Sequence, residues 1–171
     1  SVPLAVDWSA GSALPENLHT SGPVALTGEG IRLNGKNGCI TLRLPKGLSK
    51  ALHAELLVRY DRMPSMPDKP GTTPFFTTLR KPGEYFWTTR TVEFGYHLFS
   101  DEFRAHCVSG DKQECWITTR DFAIKPGCWY HVALTVGNGK QTLTINGRSW
   151  SRPFDGMLKE TAQEWQIGDP F

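Results

Sequence analysis

An all-β domain of two packed antiparallel sheets is predicted by three features of the sequence. Twelve Pro and 17 Gly punctuate it, β-branched and aromatic residues fill the runs between them, and those runs have the length of single strands. About a dozen such runs imply two sheets, not one. At 171 residues, 39% hydrophobic and 21% charged, the chain has the size of a single globular domain, so residues 1–171 are read as one unit. It opens at Ser1 without an initiator Met or signal-like segment, the expectation for a domain excised or processed from a larger protein.

In chain order the expected strands are Leu4–Trp8, Gly30–Asn34, Cys39–Leu44, His53–Asp61, Pro74–Arg80, Tyr85–Thr89, Val92–Phe99, Glu102–Val108, Glu114–Thr119, Trp129–Val136, Gln141–Ile145 and Trp165–Ile167. Alternation supports them: in "HAELLVRYD", Leu56, Val58 and Tyr60 take one face and Glu55, Leu57 and Arg59 the other, with Leu57 the apolar exception on the outer side. Turn chemistry agrees, with Pro-Gly in "KPGE" (residues 81–84) and Asn or Gly in "NGK" (34–36) and "GNG" (137–139). Helix is confined to two weak candidates, Gly47–Leu52 and Gly156–Glu164. The four-proline stretch Arg62–Pro74 reads as a long surface loop.

Charge narrows the partners. Nineteen Lys and Arg against 17 Asp and Glu leave a formal net charge of +2 with the signs mixed, which is no footprint for nucleic acid. No apolar run reaches the length of a membrane-spanning helix.

The most organised stretch is "GCWYHVALTVGNGKQTLTINGRSW" (127–150), three short strands and two glycine turns. Tyr130, Val132, Leu134 and Val136 form one face and Trp129, His131, Ala133 and Thr135 the other, with Leu143 and Ile145 available to the apolar side. That assigns the hairpin mostly to scaffold. Its W-x-H-V-A, Gly/Asn turn and "LTINGR" resemble the signature hairpin of laminin G-like domains of the concanavalin A-like lectin and glucanase superfamily. "VDW", "GCITLRLP", "AELLVRYD" and "EWQIGDPF" resemble further strands of that family. The resemblance implies a jelly roll. The family pattern continues past Ile-Gly with a closing strand, whereas this sequence ends at Phe171, which leaves the N-terminal segment as one candidate for its place.

The resemblance implies binding more often than catalysis, since bacterial relatives commonly serve as accessory modules of secreted glycan-degrading enzymes, sialidases among them. Enzymes on the same jelly roll present an E-x-D-x-x-E triplet on one strand, a spacing suited to acid and base work, and no such triplet occurs in this sequence. Asp101 and Glu102 are adjacent and so point to opposite faces of a strand. The resulting expectation is a non-catalytic, secreted or cell-surface module whose partner is a glycan or polysaccharide, together with other domains of the same polypeptide. A protein-interaction or adhesion domain, using the loop Arg62–Pro74, is the alternative, and a hydrolase or lyase ranks behind both.

Scattered histidines and the lack of C-x-x-C or H-x-x-x-H spacing give zinc no support. Relatives often hold a structural calcium, for which Asp7, Asp155 and Asp169 lie near suitable loop positions; solvated or capping carboxylates are the plainer reading. Of the four cysteines, Cys107 and Cys115 flank "VSGDKQE", so a hairpin turning at Asp111 sets them opposite each other, with Val108 against Glu114 and His106 against Trp116. A Cys107–Cys115 disulfide follows, with Cys39 and Cys128 as the remaining pair and an oxidising compartment as the corollary; four free thiols is the competing reading.

A sugar site needs an aromatic face beside planar hydrogen-bonding groups. Two clusters supply that mixture, Tyr85, Trp87 and Arg90 in "EYFWTTRTVEFGYH" and Trp116 and Arg120 in "CWITTRD", with a place in the sandwich core as the plainer reading of each aromatic. Trp150 and Arg152 in "RSWSRP" offer a rim or an ordinary edge.

Overall fold

The computed structural model describes residues 8–34, 38–43, 51–63, 72–78, 92–97, 99–109, 111–155, 158 and 164–168. These form thirteen strands: β1 (Leu18–Ser21), β2 (Val24–Thr27), β3 (Gly30–Leu33), β4 (Cys39–Arg43), β5 (Leu52–Arg59), β6 (Thr72–Thr78), β7 (Val92–His97), β8 (Glu102–Val108), β9 (Glu114–Thr118), β10 (Trp129–Gly137), β11 (Lys140–Ile145), β12 (Arg148–Pro153) and β13 (Glu164–Ile167). Helix is absent among the described residues. Of the two helical candidates, Leu52 opens β5 and Glu164 opens β13, while Leu158 makes an isolated bridge with Ser109.

The strands build an antiparallel seven-stranded sheet in the order β1-β4-β13-β6-β7-β8-β9, a four-stranded sheet β12-β11-β10-β5, and a small β2-β3 ribbon. The two larger sheets bury their apolar faces against each other as an all-β sandwich. Phe94, Phe103, Ala105 and Ile117 supply one side of the core, and Val132, Leu134, Val136, Leu143 and Ile145 the other, each essentially without solvent contact. Period-two alternation produces this directly, because residues two apart share a face of the pleat. Leu134 sits between Leu143 and Ala54 on its neighbouring strands.

Two hairpins carry their register in their turns. Asn138 and Gly139 link β10 to β11, and Asn146 and Gly147 link β11 to β12, all four with positive φ. Consecutive positive φ values twist a two-residue loop in the sense of the flanking strands, which is why Asn-Gly occupies both. Asn146 adds a tie: its Oδ1 accepts the His131 backbone N–H at 2.8 Å, and its own N–H donates to the His131 carbonyl at 2.9 Å.

The expected strands within the described residues occur with shifts of a residue or two at their ends, and Glu102–Val108 occurs as expected. Tyr85–Thr89 and nearly all of Leu4–Trp8 lie outside the described residues, as does most of the proline-rich loop. Two strands were not expected, β1 and β2, while β12 extends the last of the three short strands read in residues 127–150 out to Pro153. β1 and β2 read "LHTS" and "VALT", too short and too exposed to display an alternating apolar face. β12 carries a single large apolar residue, Trp150, and joins through hydroxyl pairs, Thr142 with Ser151 and Thr144 with Ser149, each at 2.8 Å.

The disulfide expectation is half corrected. The register is as predicted, with Cys107 opposite Cys115, Val108 opposite Glu114 and His106 opposite Trp116, but all four cysteines are free thiols. Cys107 points into the core with no exposure, while Cys115 Sγ lies 3.7 Å from the Pro153 carbonyl of β12, across to the other sheet. Cys39 is buried on β4 with its Sγ 3.0 Å from Ser21 Oγ, whereas Cys128 is exposed just before β10 of the opposite sheet. No second bridge joins them.

Candidate functional site

The face of the seven-stranded sheet turned away from the core carries an unbroken row of polar and aromatic side chains. Strand register runs it from Trp116 on β9 through His106, Glu93, Thr77, Gln166 and Thr41 to His19 on β1. Directly paired residues in an antiparallel sheet share a face, so all seven side chains lie on one side. The row is buried at its centre, from His106 to Gln166, and opens at both ends, where Trp116 is half-buried and His19 exposed.

At the β9 end the indole of Trp116 stacks on the imidazole of His106, with ring centroids 3.7 Å apart and planes 11° from parallel. Glu114, two residues back on the same strand face, accepts the indole N–H at 3.2 Å and lies 3.6 Å from His106 Nε2. One face and the edge of the indole are thereby fixed. The indole is half-buried, and among the described residues no other ring stacks on it.

Further along β8 a closed hydrogen-bonded ring occupies the same sheet face. Arg104 Nη1 donates to His97 Nε2 at 3.1 Å, which leaves the proton on Nδ1 to donate to Ser100 Oγ at 2.8 Å. The serine hydroxyl donates to Glu102 Oε1 at 2.6 Å, and Arg104 Nε donates to the same oxygen at 2.7 Å. Burial, then the Arg104 charge, pushes the His97 imidazole below its ordinary value, consistent with its role as an acceptor. A serine that receives a proton from His97 and gives one to Glu102 is not poised as a nucleophile, which requires the base to accept from it. Beside the ring, Asp101 takes a positive φ and accepts the Tyr96 hydroxyl at 2.5 Å; burial, then that contact, pushes the phenol well above its ordinary range.

Of the residues singled out from sequence, Trp116 lies in this site. Arg120 is exposed in the turn after β9, and among the described residues no hydrogen bond or ion pair joins it to Trp116. Tyr85, Trp87 and Arg90 lie outside the described residues, as do Asp7 and Asp169. Asp155 is described and exposed, its Oδ1 packed against Gly139; among the described residues no group of three or more His, Cys, Asp or Glu is placed to hold a metal. Trp150 is scaffold: its ring packs edge-on against Phe122 at 5.9 Å and its N–H donates to Asp121. Sequence reasoning passed over His106 and Glu93, although the predicted pairing of His106 with Trp116 already held the clue to their stack.

No family model and no characterised protein sequence matches the chain. Solved structures do match in fold. The receptor binding domain of botulinum neurotoxin D superimposes with a TM-score of 0.65 at 9% identity over 90% of this chain. The botulinum neurotoxin serotype D ligand binding domain in complex with N-acetylneuraminic acid gives 0.66 at 10% identity over 90% of this chain. The binding domain of Paraclostridial Mosquitocidal Protein 1 gives 0.64 at 16% identity over 89% of it. This chain spans 38 to 39% of the length of those structures. At such identities the likeness establishes the all-β sandwich and nothing finer.

Proposed function

We propose that the chain is a non-catalytic carbohydrate-binding module, laminin G-like in kind. In this reading it is secreted or cell-surface and joined to other domains, such as those of a glycoside hydrolase of the sialidase type. The observation that carries the reading is the end of the polar row at Trp116: a half-exposed indole stacked on His106 and bordered by the exposed carboxylate of Glu114. Pyranose rings need that combination, an apolar surface for C–H groups and planar polar partners for hydroxyls. The structural neighbours described as receptor- or ligand-binding domains, one with N-acetylneuraminic acid, support a binding role.

Carboxylate placement supports the same side. The Glu114 and Glu102 carboxylates of this face are engaged within the sheet: Glu114 accepts the Trp116 indole N–H at 3.2 Å, and Glu102 is tied into the Arg104 ring. A glycan array followed by calorimetry at millimolar sugar tests the proposal: binding to a defined glycan without turnover supports it, and silence across neutral and acidic glycans overturns it.

A further inference from the structure

On the outer face of the four-stranded sheet two large apolar side chains stand in solvent, Leu57 with 68% and Trp129 with 44% of its surface exposed. They are neighbours. Trp129 lies opposite Arg59, and His131 opposite Leu57, so the four side chains form one block on one face of β5 and β10. The Arg59 guanidinium sits 4.7 Å from the centre of the Trp129 ring. It is itself held by Glu29 at 3.0 Å and Asp61 at 3.2 Å, so the cation props the indole from one side. Pairing of β10 with β11 ends at Val132 opposite Ile145, and among the described residues no strand flanks the indole on its other side. Polar groups border the block: Glu55 bridges two imidazoles, with His131 Nε2 at 2.6 Å and His53 Nε2 at 3.0 Å from its two oxygens. Beyond Ala133 run the hydroxyl pairs of β11 and β12.

We infer that this block is a second carbohydrate-binding surface, with Trp129 as the stacking platform, Leu57 extending it, and Glu55 with His131 meeting the sugar hydroxyls. The inference rests on the reading of the chain as a glycan-binding module and adds a second site on the opposite sheet from Trp116. A single sugar needs one aromatic face beside hydrogen-bonding groups. Two exposed apolar residues fall far short of the roughly 800 Å² per partner of a stable protein interface. Charge selects the class of sugar. Arg59 is paired with Glu29 and with Asp61, which Arg32 shares, and Glu55 adds a carboxylate at the edge, so the cations here are already paired and the surface suits an uncharged oligosaccharide over an anionic one.

Fluorotryptophan NMR on the full chain tests this, with the Trp116 and Trp129 signals assigned by Trp116→Phe and Trp129→Phe. The probes are neutral hexasaccharides of glucose, xylose, mannose and N-acetylglucosamine, and N-acetylneuraminic acid, each at millimolar concentration. The Trp129 signal should move with at least one neutral probe and not with N-acetylneuraminic acid, and Leu57→Asp, which keeps the Trp129 reporter, should weaken that response while Trp116 still answers its own ligand. Movement of Trp116 alone overturns the second site and leaves the module reading standing. Movement of neither indole overturns both, and movement of Trp129 with the anionic sugar overturns the assigned class. Glu55→Ala, which also keeps both indoles, replaces Leu57→Asp if the latter fails to fold.

Discussion

The indole of Trp116 lies on the imidazole of His106 as one layer on another, 3.7 Å between centroids, and the second member of the pair is buried while the first is half-exposed. The buried ring therefore acts as a rigid seat for the outer one. Trp116→Ala is expected to weaken glycan binding about tenfold, a loss of ~1.4 kcal/mol, and Trp116→Phe to retain much of the affinity. His106→Ala should produce a smaller loss, because the indole remains but can tilt. Calorimetry with the glycan identified on an array measures all three; equal affinity in wild type and Trp116→Ala would remove this residue from the site.

Thiol reactivity follows from burial. Cys39, Cys107 and Cys115 are buried and Cys128 is exposed. Desolvation pushes the Cys107 thiol far above its ordinary value, with the neighbouring Cys115 adding to the effect, and it raises Cys115 as well. Brief treatment of the native protein with iodoacetamide should modify Cys128 first and alone, the other three reacting only on unfolding. Mass mapping of the alkylated peptides reads the order, and rapid labelling of Cys107 in native protein would contradict the packing of β8.

The turn at Asn146 makes two separable contributions. It supplies a positive φ of 48° and a side-chain acceptor for the His131 N–H. Asn146→Ala forfeits both, at about 1 kcal/mol for each, so a loss of roughly 2 kcal/mol is expected in urea unfolding. Asn146→Gly keeps the backbone conformation and should recover about half of that loss.

Glu55 gives the protein an acid-sensitive contribution of small size. Hydrogen bonds from His53, then His131, hold its carboxyl below the ordinary value of 4.5. A carboxyl with a depressed folded-state value stabilises the fold above its unfolded value and loses that contribution as pH falls through the folded one. Glu55→Gln should therefore lower the melting temperature near neutral pH, and the difference from wild type should shrink below about pH 4.5. Because the partners are exposed, the effect should stay under about 1 kcal/mol. Paired thermal melts across that range check the sign.

Legibility from sequence followed the chemistry that is local. "HVALTV" and "TLTI" display their core face at every second residue, and the Asn-Gly dipeptides at 138–139 and 146–147 dictate their own turns. Even the register of β8 on β9 was readable, since it depends on one short turn at Asp111. What stayed hidden depends on pairings distant in sequence. The row from Trp116 to His19 exists only because β13 lies between β4 and β6, so Gln166, Thr77 and Glu93 have no shared signature along the chain. The Cys107 and Cys115 side chains were correctly opposed, yet the direction taken by the Cys115 thiol depends on Pro153 in the other sheet. Leu57 was visible as an anomaly in its strand, but its meaning required knowing that Trp129 and His131 lie next to it.

The position of β13 between β4 and β6 also governs how such a chain comes together during synthesis. β7, β8 and β9 are successive hairpins and can form as they emerge, whereas β4 and β6 each await a partner encoded far downstream. Until residues 164–167 leave the ribosome, the nascent sheet is split in two and presents a pair of unsatisfied edges to the cytosol or translocation machinery. The interval between making β6 and making β13 is thus the period in which this molecule is most exposed to pairing with a second copy of itself, and slower elongation across β10 to β12 would lengthen it.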